Sequence, residues 1–273
     1  MSGSHGFVGS NLVEHLEQHN QTVICLPREL LATADFLKLA IQKWKPDYII
    51  HLAAAGNIYH RHSNSEILNV NILGLFNLLQ ASLQYNIKAF INFSTSSVLL
   101  PIQTMYSATK FSGEKIVEAF VNEYNKPVVN LRPFTIYGPK DYEGHLIPII
   151  FKSIQGKKMV LDPHPVHDYI FIDNVIEGIL IACANAKEIK GKTFNLGTGI
   201  ATPNKRVLEK IEKLTQAPAN YSLVKGLRKY DNFIWVATDL SLTKYGWQPK
   251  VELEEGLKRI YEYNQQRIKK TYH

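Results

Sequence analysis

The amino-acid sequence predicts an α/β protein: a parallel β-sheet covered by helices on both faces, with a smaller, partly helical lobe at the C-terminal end. Three observations predict it. Apolar runs of strand length alternate with segments of helical apolar spacing through the first two-thirds of the chain. A glycine-spaced turn, Gly3-x-x-Gly6-x-x-Gly9, opens directly into a helix-patterned segment. The length of 273 residues allows one large domain or two coupled ones, and buries enough surface to need no staples.

The elements follow in order. Phe7–Gln18 leaves the glycine turn as a helix, and Thr22–Leu26 is a short apolar run of strand type. Asp35–Trp44 carries Phe36, Leu39, Ala40 and Lys43 at helical spacing. Pro46-Asp47 leads into the β-rich run Tyr48–Leu52. Ser65–Gln84 predicts a long helix, because Ile67, Val70, Leu73, Leu75, Leu78 and Leu79 form a wide apolar face. Ala89–Phe93 is the next strand, Tyr106–Tyr124 the next helix and Pro127–Leu131 the strand after it. Sheets of this kind bind ligands at the carboxyl ends of their strands. Past Arg132 the rhythm loosens into a loop with Gly138, Pro139 and Gly144, then a short helix, Leu146–Gln155. A strand, Asp168–Ile172, precedes a helix, Asp173–Ala186, with Asp173 placed as its N-cap. The strand Thr193–Leu196 ends in Gly197-Thr198-Gly199, and the weaker patterning beyond it predicts the smaller lobe.

Composition narrows the classes. Hydrophobic residues at 45% and charged residues at 20% exclude disordered and collagen-like chains. The formal charge of +7 suits an anionic ligand, and a basic solvated surface equally. Cys25 and Cys183 sit in apolar runs, which predicts buried free thiols in a reducing compartment. The opening MSGSHGFVGS lacks the basic and apolar regions of a signal peptide. The long uncharged stretch Ala89 to Thr109 is too rich in Ser, Thr, Gln and Asn to span a membrane. A soluble, cytoplasmic protein is expected.

Two motifs carry chemistry. Glycines at a turn entering a helix let backbone approach a phosphate, and the helix N-terminus offers it free N–H groups. A plain loop-to-helix junction has the same spacing. Tyr106-x-x-x-Lys110 follows the strand and serine run INFSTSS, and spacing of four puts both side chains on one helix face. An ammonium beside a phenol favours the phenolate and lowers its pKa, which suits a general acid/base. Tyr221-x-x-x-Lys225 repeats the spacing without the strand and serines, and reads as surface. Ser94, Thr95, Ser96 and Ser97 stand where hydroxyls reach a ligand, or else cap the following helix.

The chain as a whole resembles the extended short-chain dehydrogenase/reductases of the NAD-dependent epimerase/dehydratase family, whose members act on nucleotide sugars. The matching segments are GxxGFVGSNLVEHL, PDYIIHLAA, LNVNILGLFNLLQAS, YSATKFSGEKIV, LRPFTIYGP, HDYIFIDNVIEGI, FNLGTG and YGWQPKVELEEGL. The resemblance implies a Rossmann-type doubly wound sheet, its first strand truncated, over residues 1–137 and 166–198. Residues 138–165 and 199–273 would form the substrate-binding lobe. It implies that Gly3, Gly6 and Gly9, with Phe7, cradle the cofactor pyrophosphate, and that Ala53, Ala54 and Pro133 line the nicotinamide. Tyr106 would be the acid/base, with Lys110 lowering its pKa and binding the nicotinamide ribose. Ser96 would hold the sugar oxygen, with Ser97 as the fallback for that role, and Arg228 would grip the substrate phosphates. The implied reaction is hydride transfer at a sugar carbon, as a 4-ketoreductase or a 4-epimerase. The contrasting reading is a non-catalytic cofactor-binding regulator of the same fold. A homodimer through the helices beginning near Ser65 and Tyr106 is also implied.

Four departures qualify the resemblance. Only Met1 and Ser2 precede the glycine turn, where the family has a central strand, and the expectation is a natural start upstream of Met1. Pro27-Arg28 replaces the acidic residue that pairs with the NAD ribose, which tilts the cofactor toward NADP over NAD unless Arg28 is plain surface charge. Ser96-Ser97-Val98 lacks the Asp-Glu pair of the family's dehydratases, which disfavours a 4,6-dehydratase. Thr135 and His167 replace a frequent Asn and Arg that touch the substrate phosphates. His60-x-His62 and His164-x-x-His167 lack the company of a metal site, and the C-terminal lysines lack a nucleic-acid-binding module. Neither a metal nor nucleic acid is expected.

Overall fold

A computed structural model of the protein describes residues 1–58, 61–226 and 234–271. Its Cα framework groups into two units. One is Met1–Pro133 with Ile176–Asn195 and Ser241–Trp247, and the other is Phe134–Val175 with Leu196–Leu240 and Gln248–His273.

In the first unit the chain runs through α1 (Phe7–Gln18), α2 (Ala34–Trp44) and β1 (Tyr48–His51). Next come α3 (Asn64–Leu68), a π-helical turn (Asn69–Leu73) and α4 (Gly74–Ser82), then β2 (Ala89–Phe93), α5 (Met105–Tyr124) and β3 (Val128–Pro133). The sheet order is β1, β2, β3, then Thr193–Leu196, and β1–β2 and β2–β3 are parallel. Parallel strands covered on both faces must be apolar at successive positions, and all five residues of β2 are buried. The exception proves to be paired: Asn92 faces Asn130 in register, and its Nδ2 donates to Asn130 Oδ1 at 2.8 Å. Asn130 Nδ2 in turn donates to Thr193 Oγ1 at 3.2 Å, so buried amides link three strands.

Leu37 and Ile41 of α2, Leu75, Leu78 and Leu79 of α4, and Val117 and Phe120 of α5 share one core with Ile49 and Phe90 of the strands. Caps set the helix ends. Ser63 and Glu66 form a capping box ahead of α3, and Thr104 and Ser107 form one ahead of α5. Asn125, at φ 55°, turns the chain out of α5 in the left-handed conformation that Asn tolerates.

The front of the sheet departs from the expected pattern. Thr22–Cys25 forms no strand, and Leu26 makes a single bridge. The cause is its neighbour. Ser2 alone bridges Leu26 on one side and His51 on the other, both in parallel. Met1 N donates to Ile24 O at 2.7 Å, Leu26 N to Met1 O at 2.7 Å, and Ser2 N to Ile50 O at 3.1 Å. Beside these two residues lies an apolar pocket lined by Ile24, Leu26, Ile41, Trp44, Tyr48 and Ile49. Burial holds the Met1 ammonium below its ordinary pKa. Cys25, expected buried, is exposed, while Cys183 is half-buried and its thiol is pushed up to about 12 by burial.

The second unit holds a parallel pair, Thr135–Tyr137 with Tyr169–Phe171, and the helices Leu146–Ile154, Asn204–Thr215 and Leu253–Thr271. Asp168 is fully buried there and is satisfied by donors from Thr198 N and Oγ1, Gly199 N and Ala237 N. The helix Ile172–Ile189 begins one residue before Asp173, so Asp173 is a first-turn acid and not the N-cap; it accepts from Arg259 Nη1 at 3.0 Å.

The pocket beside Met1 generates a stability prediction. A chain lengthened by about five β-branched apolar residues ahead of Met1 is expected to pair with Ile24–Leu26 and β1. Its Tm in a circular-dichroism melt should rise, on the order of 2–4 °C for each kcal/mol gained. An unchanged or lower Tm refutes the pairing.

Candidate active site

The glycine turn is set by contact. Gly3 has φ +73°, and a Cβ there would lie 2.6 Å from Ala53 N. A Cβ on Gly9 would lie 2.1 Å from Gly3 O. Gly6 N closes the turn onto Gly3 O at 3.1 Å. Gly6 is exposed and is the N-cap of α1, with no side-chain cap and no acid in the first turn. The leading N–H groups are thus left for an anion, with half-buried Phe7 beside them.

The carboxyl end of β1 lies against this turn. Ala53 is buried, its N–H donates to Ser2 Oγ at 3.3 Å, and Ala54 is half-buried. Ser2 Oγ also meets His51 Nδ1 at 2.8 Å. The Ser2 hydroxyl, which accepts from Ala53 N, thus also ties the His51 ring to the glycine turn. Nε2 is buried without a partner among the described residues. Burial above all, then the Lys110 ammonium and the amino terminus, push His51 down to about 3.

Arg28 is exposed, with Nη1 3.3 Å from His62 Nε2, while Gly56 N lies 3.3 Å from His62 Nδ1. A neutral imidazole has one acceptor nitrogen, so only one of these donors is served at a time.

The acid/base pair lies on α5. Tyr106 is half-buried in its first turn, and the Thr95 side chain hydrogen-bonds the phenol. Burial pushes the Tyr106 phenol up to about 12, and the Thr95 side chain is the group that opposes it. Lys110 is buried at 4% exposure and is pushed down to about 8 by burial, with Glu114 opposing.

Within the serine run, the Thr95 side chain is the hydroxyl beside the Tyr106 phenol, and it also caps the short 3₁₀ turn Ser96–Leu99 by accepting from Ser97 N at 3.2 Å. Ser96 is buried in that turn and Ser97 is half-buried. Ser94 donates to Glu114 Oε1 at 2.5 Å. Four consecutive hydroxyl residues look alike in sequence, and only the backbone path separates them. Pro133 is buried at the end of β3.

Asn71 carries no motif signal beyond being polar on an apolar helix face. It accepts from Ala55 N and donates to Ala55 O and Thr109 Oγ1, each at 2.9 Å. It stands in the π-helical turn, and π-bulges are frequent at functional sites.

In the second unit, Thr135 N donates to Asp168 O at 2.9 Å. The His167 ring lies 5.6 Å from Trp235 and 5.8 Å from Tyr169, centroid to centroid. Arg228 and His60 lie outside the described residues. Tyr221 is exposed. Among the described residues no group of three or more His, Cys, Asp or Glu is placed to hold a metal ion, and no helix is long and apolar enough to cross a membrane.

A parallel sheet whose first helix meets a tight glycine turn, with Tyr and Lys on a later helix, defines a dinucleotide-binding protein of the Rossmann class. Residues 1–197 match the model of the NAD dependent epimerase/dehydratase family, and the chain belongs to that family. It is an enzyme family of NAD-dependent nucleotide-sugar epimerases, dehydratases and reductases. The chain is 25% identical over 291 positions to CDP-abequose synthase of Salmonella typhimurium, covering 95% of this chain and 96% of that one. A solved UDP-glucose 4-epimerase of Thermotoga maritima with UDP-glucose superposes with a TM-score of 0.86 at 25% identity, over 98% of each chain. A Bacillus cereus UDP-glucuronic acid 4-epimerase, solved with NAD, shares the fold with a TM-score of 0.83 at 24% identity, over 97% of this chain and 98% of that one. Dehydratases also stand among the relatives.

His51 generates a pH prediction. The unfolded ring titrates near 6.5 and the folded one near 3. The unfolded chain therefore binds the extra proton, and stability falls as pH drops from about 6.5 toward 3. Urea unfolding from pH 7 to 4 should show this slope in the wild type and a shallower one in His51→Gln. Equal slopes refute the assignment.

Proposed function

We propose that the protein is an NAD(P)-dependent nucleotide-sugar oxidoreductase of the 4-ketoreductase or 4-epimerase type. The observation that carries this reading is the Tyr106 phenol, hydrogen-bonded by Thr95 and followed by buried Lys110 on the same helix face. The glycine turn fits a dinucleotide: Gly3 and Gly9 have no room for a side chain, and the α1 N–H groups are uncapped. In this reading Gly3, Gly6, Phe7 and Gly9 hold the pyrophosphate, and Ala53, Ala54 and Pro133 border the nicotinamide. The bound dinucleotide supplies the hydride exchange at a sugar carbon.

The side chains do the rest. Tyr106 gives or takes the proton of the sugar oxygen, and Thr95, with Ser96 and Ser97 beside it, steadies that oxygen. The donating direction, that of a ketoreductase, uses the phenol in its ordinary protonated form. The base direction needs positive charge beside the phenol, from Lys110 and an oxidised nicotinamide. Ser97-Val98 after Ser96, in place of an acidic pair, supports neither water loss nor a dehydratase. Arg28, exposed and in contact with an imidazole instead of a carboxylate, supports NADP through its 2′-phosphate. Residues 138–165 and 199–273 form the substrate lobe, where Thr135 and His167 from the neighbouring strands, and Arg228, take the substrate phosphates.

A homodimer belongs to the same reading. Leu68, Leu73 and Phe76 on the helix run 64–82, and Met105 and Phe111 on α5, are each 39–49% exposed, a large apolar area for two helices packed side by side.

Three experiments test the proposal. Purified protein is offered a panel of nucleotide sugars and 4-keto sugars with NADH or NADPH, following cofactor absorbance. Turnover should fall by about 10²–10⁴ in Tyr106→Phe with cofactor affinity retained. Unaltered turnover, or no turnover by wild type across the panel, refutes the catalytic reading; an epimer formed without added cofactor selects the epimerase. Arg28→Ala should remove any preference for NADPH. Light scattering should give twice the chain mass for wild type and the single mass for Phe76→Glu with Phe111→Glu; a monomeric wild type refutes the dimer.

A further inference from the structure

Glu114 has no part in the chemistry above, yet it is a carboxylate at 3% exposure, one helical turn beyond Lys110. A buried charge is tolerated where cations and hydrogen bonds surround it. Arg132 Nε donates to Oε1 at 2.7 Å and Arg132 Nη2 to Oε2 at 2.5 Å, a two-pronged clasp. Ser94 Oγ donates to Oε1 at 2.5 Å. Three elements converge on this carboxylate: the end of β2 through Ser94, β3 through Arg132, and α5 itself. Spacing of four then puts it on the face of α5 that carries Lys110 and Tyr106.

Among the described residues, these charged and titratable groups bear on Lys110. On its own helix they are Tyr106 and Glu114. From β1 comes His51, which stays neutral, and the amino terminus acts on His51 from behind. From β3 comes Arg132, through Glu114. Glu114 is the one anion in this set.

We infer that Glu114, clasped by Arg132 and Ser94, is a positioning residue that keeps Lys110 charged and in place beside Tyr106. Arg132 has the opposite effect, because it shares the carboxylate and moderates its pull on Lys110. The coupling follows from the shared helix face and from the burial of both groups, Lys110 at 4% and Glu114 at 3% exposure; its consequence for cofactor binding rests on the proposed role of Lys110 at the nicotinamide ribose.

The test titrates Lys110 directly, by NMR of protein labelled with ¹³C at lysine Cε, the resonance assigned with Lys110→Arg. Glu114→Gln should move the Lys110 midpoint down by one pH unit or more, and Arg132→Gln should move it up. A network that is only structural moves neither, or moves both the same way, and either result overturns the inference. If Glu114→Gln does not fold, the upward shift in Arg132→Gln decides; if neither folds, the smaller upward shift expected of Ser94→Ala does. In the same samples NADH affinity, read by fluorescence, should fall about tenfold in Glu114→Gln at pH 8 and recover toward pH 6. A wild type that binds no NADH overturns the proposed function and leaves the Lys110 titration readable.

Discussion

The site half of the first unit depends on one buried ionic contact, Glu114 with Arg132. Neither group could be buried alone, since an unpaired charge in the interior costs far more than a surface one. Joined, they tie α5 to β3, and Ser94 adds the end of β2. The position of α5 then determines where Tyr106 and Lys110 stand relative to Thr95. Asn71 adds a neutral tie on the other side, holding the Ala55 peptide to Thr109 through three hydrogen bonds. A charged clasp and an amide clasp thus fix the same helix from two directions.

The front of the sheet shows the converse, a place where pairing is incomplete. Ser2 does the work of a strand by bridging Leu26 and His51, and its hydroxyl satisfies both Ala53 N and His51 Nδ1. That short stub still delivers Gly3 to its left-handed turn against Ala53. The glycine turn therefore keeps its shape, while Thr22–Cys25, lacking a ladder partner, stays irregular, with Cys25 exposed. Local geometry at the turn and long-range pairing behind it are separable here.

Electrostatics at the acid/base pair follow burial more than proximity. Spacing of four makes an ammonium beside a phenol the natural expectation. In the folded chain desolvation dominates both groups, raising Tyr106 and lowering Lys110. Each shift favours the neutral form, and each is opposed by a specific neighbour: Thr95 for the phenol and Glu114 for the amine.

Several elements are legible in the residues themselves. Phe7–Gln18, Ala89–Phe93 and Thr193–Leu196 form as the sequence predicts, because period and turn residues are local properties. Tyr106 and Lys110 share a helix face for the same reason. Thr22–Leu26 does not form a strand because a strand needs a partner, and a partner is a non-local fact. Thr95 is indistinguishable from Ser94, Ser96 and Ser97 by residue type; the backbone path singles it out. By itself the sequence determined the class of fold, the glycine turn and the spacing of the acid/base pair, all of which follow from residue type and interval. Only the tertiary structure decided which hydroxyl meets Tyr106, how Arg132 and Ser94 clasp Glu114 and in which direction each pKa moves. Those outcomes depend on burial and on contacts between separate elements, and neither is written in any local pattern.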